Sequence, residues 1–466
     1  MSDTTAPAAA RLDPSVWKIT AVAILGSLLA QLDATIVNVS LSSLATELHA
    51  SLAAIQWVTS GYLLALTLVL PLNGWLVDRV GGRAVYLGCF AAFTASSALC
   101  GLAWSAQSLI AFRVLQGVSG GLLAPMAQMM MQRAAGSQFT RIAGYAAMPV
   151  LLGPFLGPVI AGAILHVASW RWLFLVNLPV GLLALVLAFV FLPDDRGERR
   201  RRELDWVGLL LLSPALALVL FGAERIGQRA GWMAMAAGAL LLVAFLRVER
   251  RRGEHALIDL RQFRSRVFAT ASVAQFLSNG VMFAGQMLIP LFLIQACGRS
   301  PAAMGWLLAP MGLGMMLTFP WLGWLAGRFG ARAVASGGAS LALAATLALA
   351  WLASHGLELA VFVPALFLRG MGQGAVGLPA ISVAYASVQR RDLPMATTTL
   401  NIVQRLGGPT LTTLCAVFLA WRLEARVGPF GMDAWALAFL LLAALHALAL
   451  LAAWRLPTPA GSVDGR

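Results

Sequence analysis

The sequence predicts an all-α polytopic membrane protein, built as two six-helix bundles plus two additional transmembrane helices between them. Three observations lead there. Of the 466 residues 60% are hydrophobic and 11% charged, and the mean hydropathy is +0.81, far more apolar than a soluble chain of that length. Apolar stretches long enough to cross a bilayer follow one another with short basic connections between them. A ten-residue segment also recurs: GWLVDRVGGR at 74–83 returns as GWLAGRFGAR at 323–332, with six of the ten positions kept. Each copy sits where one apolar stretch ends and the next begins. The chain is therefore a duplication, with a basic hairpin at equivalent places in two halves, a build that places a ligand site between related bundles.

Composition excludes other classes. The formal net charge is +14, but a nucleic-acid binder gathers its basic residues on one solvated face. Here they are scattered through connections, so no nucleic acid is expected. The first sixteen residues carry acids and two prolines without the charged-then-apolar order of a cleaved signal, and they read as a tail. Cys89, Cys100, Cys297 and Cys415 lie in or near apolar stretches without metal-ligand spacing and read as small core residues. There is no HExxH motif and no phosphate-binding loop, and the five histidines are spread apart. Neither an enzyme nor a metal or bound cofactor is expected, which leaves an ion gradient as the energy source.

A crossing needs roughly 20 apolar residues. Candidates fall at 19–42, 55–77, 84–104, 107–131, 140–166, 172–192, 206–223, 230–246, 267–296, 303–326, 333–354, 357–386, 396–421 and 432–455, fourteen in all. Those at 206–223 and 230–246 are the shortest. Losing both leaves twelve and inverts nothing else. The parts are then a tail (1–16), a first bundle (17–192), a linker with two extra helices (193–266), a second bundle (267–455) and a second tail (456–466).

Orientation follows from lysine and arginine, which resist translocation. On the side of the N-terminus 24 of them lie in connections and tails, against six on the other side. Both termini are expected in the cytoplasm, in a cell inner membrane. The linker opens with Arg196 and the run at 199–202 and closes with Arg247, Arg250, Arg251 and Arg252. These read as topological anchors that also touch anionic lipid. The remaining three, Arg113, Arg369 and Arg405, fall inside predicted helices.

Asp33 is the sole acid deep in a predicted helix, where a carboxylate costs about 2.5–3.5 kcal/mol on insertion scales. A cost of that size suggests use, either in binding and releasing a proton or in holding a cationic cargo. The alternative is a structural carboxylate held by hydroxyls or by Arg113. On the same helix Ser27, Gln31, Thr35 and Asn38 share one face, with Asp33 about 200° from Gln31 at 100° per residue. The helix is thus polar on two sides, suited to a cavity and a neighbouring helix. In the second half Gln275, Asn279 and Gln286 repeat the pattern beside Met282, Phe283 and Met287, a mixed polar and adaptable lining. Hydrogen bonding between helices uses the same residue types. Gln116 and Arg405 complete the candidate binding set.

At 74–83 an acid and bases cluster at a helix end: Asp78, Arg79 and Arg83 with Gly74 and Gly81. Such groups can pair with a helix terminus or with the other bundle and bias the balance of conformations. The second copy supplies Gly323, Arg328, Gly330 and Arg332, with Gly327 in place of Asp78. That change breaks the symmetry between the two loops.

Four motifs together make the chain resemble the major facilitator superfamily, in particular its fourteen-helix drug/proton antiporter branch of the EmrB/QacA type. They are LDATIVNVSL at 32–41, the hairpin at 74–83, Arg113 with Gln116, Gly117, Gly120 and Gly121, and Gly153, Pro154, Gly157, Pro158 and Gly162 of the fifth helix. WRWLFLVNLPVG at 170–181 follows as that branch's usual lead into helix six. The likeness covers nearly the whole chain. It implies that Arg113 takes part in proton transfer with Asp33, and that the fifth-helix set, which should bend and pack against a helix of the second half, goes with export by antiport. The expectation is a proton-coupled multidrug efflux antiporter for lipophilic, preferentially cationic small molecules. It is expected to act as a monomer, with a periplasmic adaptor left open. A dedicated exporter of one metabolite, lipid or siderophore is the near alternative, and a non-transporting membrane sensor the distant one.

Overall fold

A computed structural model describes residues 13–195, 203–225, 227–252, 257–299, 304–424 and 432–457. The arginines at 196 and 199–202 lie outside the described residues, as do the side chains of Asn38, Pro154 and Pro158. No strand occurs among the described residues. The first half comprises α1 (Pro14–Glu47), α2 (Leu52–Val69), α3 (Leu72–Val80), α4 (Gly82–Gly101), α5 (Ala106–Ala135), α6 (Phe139–Val167), α7 (Trp172–Leu175) and α8 (Asn177–Phe191). The insert holds α9 (Trp206–Glu224) and α10 (Arg229–Arg252). The second half comprises α11 (Arg266–Leu291), α12 (Met304–Thr318), α13 (Leu322–His355), α14 (Leu359–Ala386), α15 (Leu393–Glu424) and α16 (Met432–Trp454).

Local chemistry sets the helix ends. α1 starts inside the expected tail because the Asp13 carboxylate accepts from the Ser15 amide at 2.8 Å and Pro14 suits the first turn. That backbone bond also holds the exposed Asp13 carboxyl below its ordinary value. Ser51, Ser105, Asp205 and Ser265 cap α2, α5, α9 and α11 in the same way.

Among the described residues eleven helical stretches are long and apolar enough to cross a membrane, or twelve with α2 and α3, bent by 58°, taken as one. Two of these, 106–150 and 306–355, exceed a single crossing of about 30 Å at 1.5 Å per residue. Each is broken inside, by the 3-10 turn Gly136–Gln138 in one and by Gly330, at φ 81°, in the other. α5 and α6 both lie along α1, and α12 and α13 both lie along α14. The helices are consistent with fourteen crossings, which puts the ends of α1 and α16 on one face, the terminal face.

The duplication shows in the packing. α1 lies against α5, α6 and α8, and its counterpart α11 lies against α14, α15 and α16. α2 packs on α5 as α12 packs on α14, and α4 packs on α8 as α13 packs on α16. Small residues allow these approaches: the Gly117 and Gly121 positions of α5 lie against the Tyr62 and Leu66 carbonyls of α2.

The two bundles meet on the terminal face and part on the other. One buried core runs across both, from Val16, Met130 and Phe139 to Phe268, Ala384, Leu393 and Ala396. In the far half there are two separate cores, one around Ile36, Leu109 and Trp170 and one around Leu288, Phe362 and Phe439. Polar contacts close the terminal side: Asn73 donates to the Thr398 hydroxyl at 3.1 Å, while Tyr385 and Asn401 both donate to Gln128 Oε1 at 3.1 Å.

The repeated hairpins lie at this closure. Gly74 abuts Met395 and Thr398 of α15, and Gly323 abuts the backbone of Arg141 on α6. Gly81, at φ 97°, and Gly330 make the same left-handed turn in each copy, which a side chain would strain. The insert covers one side. Leu212 and Leu216 of α9 form a cluster with Leu70 of α2 and Ile402 of α15, and Ser213 donates to the Leu68 carbonyl at 2.8 Å. A leucine at 323 has no room against Arg141. Gly323→Leu should push the terminal face apart and draw the far face together by several ångströms, read as a shorter distance between spin labels at Val167 and Trp306. An unchanged distance would mean that this contact does not hold the far side open.

Candidate functional site

Asp33 is fully buried in the first bundle, with three donors on its carboxylate. Arg113 Nη1 donates to Oδ2 at 2.5 Å, while Gln116 Nε2 at 3.0 Å and Asn177 Nδ2 at 2.9 Å donate to Oδ1. Gln116 also accepts from Arg113 Nη1 at 2.8 Å. Ser97 accepts from Gln116 at 3.0 Å and from Asn177 at 3.1 Å, and its own hydroxyl donates to the Phe174 carbonyl at 3.2 Å. The cluster ties α1, α4, α5 and α8 together. Arg113 further donates Nε to the Val58 carbonyl at 3.2 Å and stacks over Tyr62, 4.1 Å from the ring centroid.

The arrangement is a neutral, desolvated ion pair with most of its hydrogen-bonding capacity met, the condition under which buried charges persist. Protonating Asp33 would remove the charge that Arg113 faces and reorder the amides around it. Arg113 Nη2 and the Tyr62 hydroxyl have no partner, so the network retains donors for another arrangement.

The second half answers with a different pattern. Arg369 of α14 is fully buried and donates Nη2 to the Val281 carbonyl at 2.9 Å, with Nη1 3.2 Å from the Met311 sulfur. No carboxylate pairs with it among the described residues. Gln275 is buried with Oε1 unpartnered, near Gly377 of α14. Asn279 is half-buried and Phe283 is 45% exposed, both facing Gly408 of α15, while Gln286 is exposed. Gln373 donates to the Ser278 carbonyl at 2.7 Å beside them.

This geometry, two duplicated six-helix bundles closed at one face with a polar cluster in the first, coincides with a family match. The Major Facilitator Superfamily model matches residues 23–412 and again 271–465. The chain belongs to the major facilitator superfamily. It is 35% identical over 421 residues to a multidrug resistance protein B homolog of Mycobacterium tuberculosis, covering 88% of this chain and 78% of that protein. With the putative multidrug resistance protein MdtD of Salmonella typhi it shares 33% over 331 residues, 69% of each chain. These relatives are in keeping with the drug/proton antiporter branch that the motifs resemble. Among solved structures, the human organic anion transporter MFSD10 aligns at TM-score 0.65 and 19% identity, over 95% of this chain and all of that one. The proton:xylose symporter XylE aligns at 0.61 and 16%, over 95% and 96%. Both likenesses concern the fold.

Within this superfamily member the expected site residues separate into groups. Asp33, Arg113 and Gln116 come together, with no surface left for a cargo. Gln31 and Thr35 face α6: the glycines Gly153 and Gly157 lie against them, and Thr35 reaches the Gly153 carbonyl at 3.3 Å. The fifth-helix set was expected to bend its helix and to meet the second half. α6 is continuous over Phe139–Val167, and these two glycines let it close on α1 of its own bundle. Its contacts with the second half come earlier, at Arg141 and at Gly144, which abuts the Phe319 carbonyl. Gly162 is exposed with open space around it.

The hairpin residues also divide. Arg83 donates to the Phe189 carbonyl at 2.6 Å, Arg79 is exposed, and Asp78 is nearly buried. Arg328 is exposed over Trp324 and Phe329, and Arg332 is half-buried. Asp195, which sequence reasoning missed, accepts from the Gly82 amide at 2.5 Å and pairs with Arg133 at 3.5 Å. It therefore neutralises the start of α4 within the first bundle.

Ser97, Asn177 and Tyr62 were missed as well. Asn177 carried a signal, an amide within the otherwise apolar run FLVNLPVG. Removing one member of the ion pair leaves the other charge buried, so Arg113→Gln should cost about 3–5 kcal/mol. Arg113→Gln combined with Asp33→Asn should cost less than the two single changes together by about 1–3 kcal/mol. Denaturant unfolding of the four proteins measures both, and additive costs would mean the charges act independently.

Proposed function

We propose that this chain is a proton-coupled exporter of lipophilic small molecules, a secondary active transporter that works by alternating access. It sits in the inner membrane with both termini in the cytoplasm, as the lysine and arginine distribution favours. The terminal face is then cytoplasmic, and the structure has the arrangement of a carrier open to the outside. The names of its relatives favour a broad substrate range.

The observation that carries the proposal is the buried cluster of Asp33, Arg113, Gln116, Asn177 and Ser97. It is the one titratable carboxylate at membrane depth among the described residues, and it lies where four helices of one bundle join. A proton arriving from outside neutralises Asp33, loosens its hold on Arg113 and Asn177, and changes how α1 sits on α5 and α8. Because α1 also carries α6, the change reaches the contacts of Arg141 and Gly144 with the second bundle. A proton shifts the balance between open faces only by its differential affinity for the two states, and the Asp33–Arg113 pair is a means of making that difference large.

A preference for cations was expected on the assumption that Asp33 meets the cargo. Both of its oxygens are occupied, so the charge of the cargo has to be read from the residues that retain surface. Asp33→Asn should leave the protein inserted and folded while reducing pH-gradient-driven efflux to the protein-free baseline. Proteoliposomes with an imposed gradient, a panel of lipophilic compounds and a lumenal pH reporter test this. Full efflux in the variant would move proton coupling away from Asp33.

A further inference from the structure

We infer that Arg405 anchors an anionic group of the transported molecule, so that the site takes amphipathic compounds bearing a carboxylate, sulfonate or phosphate in preference to lipophilic cations. This rests on the transport reading above and supplies the charge class of that same site.

Three arginines lie at membrane depth, and their surroundings differ. Arg113 is neutralised by Asp33. Arg369 is fully buried against Gly285, the Val281 carbonyl and Met311, with no surface for a ligand. Arg405 is half-buried, and no carboxylate or hydrogen-bond acceptor among the described residues meets it. It is the one guanidinium of the three that is both uncompensated and accessible.

Its position on α15 places it between the bundles. Asn401, four residues earlier and on the same helix face, reaches across to Gln128 in the terminal-side closure. Gly408, three residues later, faces Asn279 and Phe283. Arg405 therefore stands one turn beyond the closure, at the base of the region where the two cores part. α2, across this seam, carries Tyr62, whose buried hydroxyl lacks a partner. The lipid side of this seam is covered. Ile402 and Leu406 of α15 pack with Leu212 of α9 and Leu70 of α2, and Ser213 binds the Leu68 carbonyl. The free surface of Arg405 thus opens inward rather than to lipid.

The chemistry follows from that placement. A guanidinium presents planar N–H donors in a fork that matches a carboxylate, sulfonate or phosphate. In a poorly hydrated region an unpaired cation is costly, and an arriving anion offsets that cost where an arriving cation adds to it. The rest of the surface is neutral and adaptable: Asn279, Gln286, Phe283 and the unpartnered Gln275 oxygen, beside Met282 and Met287. The direction of transport agrees, since an anion leaving the cell moves down the inside-negative membrane potential.

Three probes with one ring system separate the charge classes: pyrenebutyrate, pyrenebutanamide and pyrenebutylamine. Affinities are read from pyrene fluorescence with the purified full chain in nanodiscs, and efflux from proteoliposomes. The wild type should bind the butyrate at least about tenfold more tightly than the amide, with the amine weakest. Arg405→Gln should bring butyrate and amide to equal affinity, Arg405→Lys should keep part of the preference, and Arg405→Glu should reverse it towards the amine. The wild-type series stands even if a variant fails to fold. A wild type that binds the amine best, or an Arg405→Gln protein that keeps the butyrate preference, overturns the anchor. Efflux of all three probes without regard to charge overturns the anchor but keeps the transport reading, whereas no binding and no efflux of any probe overturns both.

Discussion

The ion pair between Asp33 and Arg113 is the constraint around which the first bundle is arranged. Each charge alone would be expelled from the membrane interior, and only their pairing with three further polar side chains makes burial tolerable. Those partners come from α4, α5 and α8, so one electrostatic requirement fixes how α1 sits against three helices at once. The glycines of α5 and α6 follow from it, because α1 and α2 must come close enough for the side chains to meet. The same pairing takes Asp33 out of reach of a cargo. A group whose two oxygens are filled can respond to a proton, but it cannot also hold a ligand until that pairing breaks.

The two halves descend from one plan and have divided its work. Arg113 and Arg369 occupy corresponding helices, α5 and α14, yet among the described residues only the first is paired with an acid. Arg369 is held by a carbonyl and a sulfur, with no carboxylate beside it among the described residues. The hairpins differ likewise, with Asp78 in one copy and Gly327 in the other. The buried carboxylate–guanidinium pair lies in the first bundle. The second keeps neutral amides, methionines and an exposed aromatic ring on α11, a surface that can adapt to shape. On the proposed function, coupling between the two passes through the terminal-side contacts, where Gly74 meets α15 and Gly323 meets α6.

Much of the fold was legible in the sequence because crossing a bilayer leaves a simple signature. Apolar runs of sufficient length, broken by basic connections and a repeated hairpin, mark the helices before any contact is known. The identity of Asp33 and Arg113 was legible for the same reason, since a charge inside an apolar run stands out. Their partners were not. Ser97 and Asn177 are ordinary residues in single-helix terms, and they matter only because α4 and α8 turn those faces toward Asp33. Helical periodicity placed Gln31 and Thr35 on one face but could not say which helix that face would meet. It is α6, whose glycines lie against them, while both side chains stay half-buried. The hairpin's polarity was legible too, while Asp195, more than a hundred residues away in sequence, was not.

The insert gives the remaining argument its force. An unpaired guanidinium facing lipid would be pulled to the interface or would deform the bilayer around it. Arg405 lies at mid-helix on α15, too far from either end for such an escape. What keeps lipid from it is α9, which lays Leu212 and Leu216 across the seam between α2 and α15 and fastens itself to α2 through Ser213. The two additional helices are therefore more than a spacer between halves. By closing one seam they convert a position that would face hydrocarbon into one that faces only the opposite bundle, where a bare charge is tolerable and can serve a ligand. A twelve-helix arrangement of the same bundles would expose the α2–α15 seam, and the physical reason for leaving an unpaired arginine at that depth would be gone.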